Sequence, residues 1–279
     1  MYASDFWGGL KPPSDNPIEK VHHMVCKHIL NVQKQTTNIG VLLELGRIPL
    51  QTYAIKAAIK NWERIKSRKI NPLLLNSYEE AAAENLPWLT NIKMILERNG
   101  MACFYINNYE GKIPFIHKKI FQKLSDSFHQ EAFAAIRNPQ SKLRTYGIIK
   151  QHIGCEKYLL QITNPSIRQS LTKFRLSNHV LNIEKGRHTN TPEHLRTCPF
   201  CPNTIESEIH FLVNCPTYRK PRDAMIAMMT LDRPSFAHYT PNEKLQYLLS
   251  EENTQFVSTF VHNLFEIRKF LIERPKRTT

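Results

Sequence analysis

Apolar residues along this chain recur at intervals of three and four, the period of a helix with one buried face. Ile18, Val21, Val25, Ile29 and Val32 form the first such series. Asn16 stands ahead of Pro17, with Glu19 at the third helical position, which predicts a capping box at its start. Residues 50–66 predict a second helix, with Ile55, Ala58, Ile59, Trp62 and Ile65 turned inward and Lys56, Lys60 and Glu63 left to water. Two more are expected over 73–83 and 88–97, parted at Pro87, and Asn99-Gly100 predicts a turn. A long pattern covers 115–136 and a shorter one 165–176. After Met225–Met229 the pattern returns over 242–249 and 254–273, where Phe256, Phe260, Leu264, Ile267 and Leu271 form the apolar stripe. The chain has nine glycines in 279 residues and no strand-like alternation, so the expected fold class is mainly α.

The polar stretch 183–196 predicts an entry loop, and a cysteine-rich segment then interrupts the helical pattern. Cys198-Pro199-Phe200-Cys201, then His210 and Cys215, give the spacing C-x2-C-x8-H-x4-C. Three thiolates and an imidazole suit a closed tetrahedral zinc site that holds structure and leaves no ligand position open. Pro199 tightens the first turn. Ser207 can start a short helix between the second pair, with Ile209, Leu212 and Val213 on its apolar side and Pro216 ending it. A redox reading of the first pair expects a thioredoxin-like strand and helix around it, which the pattern lacks. His188 and His194 precede the first cysteine and rank below His210 as ligands. A loop this short cannot bury a core of its own, so bound metal would supply local folding free energy on the order of 10 kcal/mol. The expected architecture is an irregular helical bundle carrying a small zinc-binding loop-helix module. Five segments are expected: an extended lead-in over 1–17, helices over 18–110, a basic helical region over 111–196, the zinc module over 197–218, and terminal helices with a basic tail over 219–279.

Charge changes the picture further. Lys and Arg number 38 against 24 Asp and Glu, a formal balance of +14, which favours polyanionic partners. Arg144, Lys150, Arg168, Lys173, Arg175, Lys185 and Arg187 cluster ahead of the zinc stretch and are the candidate nucleic-acid contacts. Tyr146 and Phe174 lie among them, and rings between cations suit RNA or single-stranded DNA. As side chains, however, those two read better as core residues. No catalytic constellation accompanies them: Asp5, Asp15, Asp126, Asp223 and Asp232 are scattered, and no glycine-rich phosphate loop is present. Cys103 and Cys155 read as core thiols rather than nucleophiles. The start of the chain has no apolar leader and no run of about 18 apolar residues exists, so neither a signal peptide nor a membrane span is expected. Six cysteines without a disulfide framework point to the cytoplasm or nucleus.

Several ordered motifs resemble the C-terminal region of LINE-type (non-LTR) retrotransposon polyproteins. These are Tyr2 to Gly8, Cys26 to Leu30, Glu44 to Leu50, Phe174 to His179, Leu181 to Arg187, the Cys-Pro-Phe-Cys turn, Ile205 to Leu212, and Cys215 to Tyr218. The resemblance implies a segment downstream of the reverse transcriptase, in which helices of 18–110 join the polymerase thumb to a zinc-knuckle-like module on Cys198, Cys201, His210 and Cys215. It also implies a helical platform for template RNA within a retrotransposon ribonucleoprotein. The polymerase aspartates and the endonuclease of such proteins lie upstream of the matched region, so no enzymatic activity is expected. The eight residues before His210 exceed the four of retroviral knuckles, so the module is expected to anchor residues 207–213 against Phe200 and Ile205 rather than to stack bases. Three rival expectations stand beside this one: a protein-interaction adaptor, a residual nuclease, and a relic without a task.

Overall fold

The computed structural model describes Ser4, Gly8 and residues 16–66, 72–106, 115–138 and 140–273. Residues 1–3, 5–7 and 9–15 of the lead-in, the boundary expected at 110/111 and the basic tail therefore lie outside the described residues. The helices are α1 (Pro17–Ile29), α2 (Asn38–Glu44), α3 (Leu50–Lys66), α4 (Pro72–Ala83), α5 (Pro87–Arg98), α6 (Cys103–Ile106), α7 (Ile116–Arg137), α8 (Arg144–Ile149), α9 (Tyr158–Gln161), α10 (Pro165–Arg175), α11 (Asn182–His188), α12 (Arg219–Asp232), α13 (Pro241–Leu248) and α14 (Thr254–Glu273). Among the described residues there is no strand, and backbone pairing is limited to isolated bridges at Leu45–Cys155 and Thr197–Ile205. The fold is mainly α, an irregular helical bundle with a Cys/His cluster.

Two differences from the sequence pattern are informative. In α1 the series Ile18, Val21, Val25 and Ile29 is exposed, while His22, Cys26 and Leu30 are buried. Those three also repeat every fourth residue, so the helix is rotated from the face its aliphatic residues suggest. Asn16 Oδ1 accepts from the Ile18 amide, but Glu19 Oε1 accepts from the Gln51 amide at 2.7 Å and so serves the start of α3. In α14 the buried side chains are Val257, Val261, Leu264 and Arg268, about one position away from the expected stripe, and Phe256 is exposed.

The chain divides into two compact units, residues 1–25 with 48–132 and residues 26–47 with 133–279. The first has its core around Trp62, packed with Ala58, Ile59, Leu89, Ile92, Leu96, Ile116 and Ile120. The Trp62 ring stacks on Tyr105 and its Nε1 donates to the Tyr78 hydroxyl at 3.3 Å. Glu63, expected in solvent, accepts from the His117 amide at 2.7 Å and is mostly buried.

The second unit is built on α10 and α14, which pack along each other. Its centre is ionic. Arg175 is buried and its Nε donates to Glu44 Oε1 at 2.7 Å, while Nη2 reaches Glu156 Oε2 at 2.8 Å. Lys150, also buried, meets Glu156 Oε1 at 2.6 Å, and the Tyr158 hydroxyl donates to Glu44 at 2.6 Å. Gly46 makes the two carboxylates neighbours: it sits at φ +60°, and a Cβ there would stand 2.3 Å from the Cys155 nitrogen. Burial alone would raise the Glu44 carboxyl, but the charge and hydrogen bond of Arg175 outweigh it and hold that group below its ordinary range.

This centre has two measurable consequences. Arg175→Ala leaves two buried carboxylates facing one remaining ammonium and costs about 3–5 kcal/mol in urea unfolding; a loss under about 1 kcal/mol would contradict the pairing. Because the folded Glu44 value is depressed, its contribution is complete above the unfolded carboxylate value and is lost as pH falls through the lower folded one. Stability measured below about pH 5 therefore falls less steeply in Glu44→Gln than in the parent, from a lower plateau.

Candidate metal centre and nucleic-acid interface

Cys198 and Cys201 sit on a knuckle. Thr197 and Ile205 bridge its base, the Cys198 amide donates to the Thr204 carbonyl at 2.7 Å, and Asn203 takes φ +58°, a left-handed conformation that asparagine tolerates. His210 and Cys215 bracket a single wide turn over His210–Asn214, in which the Cys215 amide reaches back five residues to the His210 carbonyl. The expected start holds, since Ser207 Oγ accepts from the His210 amide at 3.2 Å. The wide turn brings both ends of the second pair to the same side.

The four ligand atoms lie within 4.8 Å of one another, and all four residues are buried. Cys201 Sγ and Cys215 Sγ are 3.6 Å apart. Thiolates held ~2.3 Å from a tetrahedral ion stand ~3.8 Å apart, so this spacing fits one shared cation. His210 Nε2 is buried without a hydrogen-bond partner, which a metal bond would satisfy. Burial also favours its neutral imidazole, the form that ligates. Burial pushes the Cys198 thiol up to about 12, and Cys201 is raised by burial and by its hydrogen bond with Cys215. A cation between Cys198 and Cys201 would favour their thiolate forms, the forms that ligate. His188 and His194 are exposed and lie outside the cluster.

The module is fixed to its unit by two carboxylates that alternate ahead of His210. Glu206 is buried and takes both Nε and Nη2 of Arg268 on α14, at 2.7 and 2.8 Å, and accepts from the Asn182 amide at 2.6 Å. Glu208 takes Arg144 Nη2 at 3.0 Å and His179 Nε2 at 3.1 Å. Burial would raise the Glu208 carboxyl, but the His179 hydrogen bond and the His179 and Arg144 charges hold it down to about 2. Arg222 donates to the Leu212 and Cys215 carbonyls, closing the far end of the turn. Phe211 enters an aromatic group with Phe265, Tyr218 and Phe174. Phe200 packs edge-on against Tyr218, whose ring in turn meets Phe211 of the 207–213 segment. Sequence reasoning missed Glu206, Glu208 and Arg222; the signal was a pair of glutamates one residue apart beside a ligand in a basic chain.

The candidate nucleic-acid residues separate into two groups. Lys150 and Arg175 are fully buried in the ionic centre and cannot reach a phosphate, a correction to the sequence reading. Arg144 is mostly buried between Glu184 and Glu208, so it too is committed inside the fold. Arg168 is half-buried with Nη1 on the Ile162 carbonyl at 2.9 Å. The rest face outward. Lys173 of α10 and Lys185 of α11 line one groove together with Lys269 of α14, and no carboxylate among the described residues lies within ion-pairing distance of these three. Arg187 keeps only a 3.9 Å contact with Glu184. It stands beside Lys142, whose ammonium is lowered by burial, drawn up by Glu184 and pushed down by Arg187. Lys27, lowered by burial and by Lys142, donates to the Lys34 carbonyl next to Gln33, which lines the same groove. Tyr146 and Phe174 are core residues, as expected for the side chains themselves.

No helix among the described residues is long and apolar enough to cross a membrane. No family model, curated protein or solved structure matches the chain.

The geometry sets a direct test of the four ligands. Purified protein is expected to carry about one equivalent of a metal ion by elemental analysis. Cys201→Ser loses most of it and unfolds at a lower temperature, whereas His188→Ala and His194→Ala retain it. Full metal content in Cys201→Ser, or none in the parent, would overturn this ligand set.

Proposed function

We propose that this chain is a non-catalytic, zinc-stabilised helical segment that binds nucleic acid, either RNA or single-stranded DNA. The observation that carries the reading is the convergence of Lys173, Lys185 and Lys269 on one groove, with Arg187, Lys142 and Lys27 placed along the same unit. Cations gathered without carboxylate partners repel one another. A polyphosphate relieves that repulsion and releases its own counterions in doing so. The metal is assigned as zinc on its donor set, three sulfurs and one imidazole, which suits a closed structural site. Cys198, Cys201, His210 and Cys215 would hold it, and it would supply rigidity rather than chemistry.

Taken with the motifs that resemble those of LINE-type retrotransposon proteins, the chain reads as the region after the reverse transcriptase, acting within a ribonucleoprotein and without polymerase or endonuclease activity. An adaptor role is the second reading. It is favoured by the exposed apolar series Ile18, Val21, Met24 and Val25 on α1.

Affinity for a short RNA, measured by fluorescence anisotropy, is expected to fall steeply with salt, with a log–log slope of about −0.7 per phosphate contacted. Lys142→Ala and Arg187→Ala weaken binding by about the same factor for every sequence and flatten the slope. A salt-independent affinity, or no binding at low salt, would count against the proposal.

A further inference from the structure

Resting on the nucleic-acid reading, the groove between α10, α11 and α14 has features that a phosphate track alone does not need. Its volume is about 420 Å³, within the range of sites that enclose a small ligand. Phe265 is half-buried in its wall, with its ring 6.3 Å from that of His179 and backed by Phe211 at 4.8 Å. That backing fixes the ring in place, so a planar partner finds it already ordered. Gln33 and Asn178 meet side chain to side chain at 3.2 Å on the lining, and Ser170 adds a hydroxyl. The charges are unevenly placed. Lys173 and Lys185 come from α10 and α11, whereas α14 contributes Lys269 together with Glu266 and Glu273.

We infer that this groove holds one unpaired nucleotide of a single strand. Its phosphate lies on the α10–α11 side against Lys173 and Lys185, where no carboxylate lines the groove. Its base lies toward α14, on the Phe265 ring. A phosphate on that side would meet Glu266 and Glu273, while a base presents amino and imino donors that carboxylates accept. A duplex has its bases stacked and paired, so it can offer the lysines its backbone but cannot place a base in the groove. The site therefore discriminates single from double strands, which a basic surface by itself does not.

The full-length chain is titrated with a 12-nucleotide RNA and with the same RNA annealed to its complement, at one fixed salt concentration. The single strand is expected to bind about tenfold tighter. Phe265→Leu removes the ring, and Val180→Trp fills the groove from an exposed position that carries no core packing. Both are expected to bring the ratio close to one, the loss falling mainly on the single strand. Lys142→Ala weakens both strands equally and keeps the ratio. Should wild type bind the two RNAs equally, or should Val180→Trp leave the preference intact, the nucleotide site is overturned and the general nucleic-acid reading survives. If neither RNA binds at low salt, both fall.

Discussion

Charge removed from water has to meet an opposite charge, a hydrogen-bonding partner or a metal ion, and that requirement organises the second unit of this protein. Glu44, Glu156, Arg175 and Lys150 satisfy one another at its centre. Glu206 with Arg268, and Glu208 with Arg144 and His179, do the same where the Cys/His module joins the helices. The three sulfurs of Cys198, Cys201 and Cys215 obey the same rule in another form, since side by side in the interior they can share one cation as partner. What remains after this pairing includes Lys173, Lys185 and Lys269, which line one groove with no carboxylate among the described residues at ion-pairing distance.

The metal module links these levels. The 18 residues from Cys198 to Cys215 are too short a stretch to bury a core of their own, and their fold depends on what they are tied to. An ion held by the cluster would tie the knuckle to the wide turn, Glu206 and Glu208 tie both to α14 and to the loop before α11, and Phe211 enters the aromatic group that also supports Phe265. Lys185 sits on α11, whose first amide is held by Glu206. Order at the Cys/His cluster therefore reaches the groove through named contacts.

Much of the fold is legible in the sequence, because helical periodicity and proline positions are local. The bounds of α3 and α14 come directly from them, and Ser207 begins the turn between the last two ligands as expected. The four metal ligands are legible too, since their spacing is itself local. Pairing across distance is not. Lys150 and Arg175 look like surface cations in a basic stretch, and only the return of Glu44 and Glu156 to their side shows them to be structural. Residues 183–196 look like a loop because they are polar, yet α11 forms there, with Ile183 and Glu184 buried. The orientation of α1 escapes the pattern for a similar reason, because His22 and Cys26 carry no strong apolar signal.

The most direct test of the account is X-ray absorption at the zinc edge on the purified protein, because it reads the ion's donors rather than only its presence. Three sulfurs near ~2.3 Å and one nitrogen near ~2.0–2.1 Å are the predicted shell. A shell dominated by oxygen, or one with fewer than three sulfurs, would contradict the claim that a single buried ion joins Cys198, Cys201, His210 and Cys215.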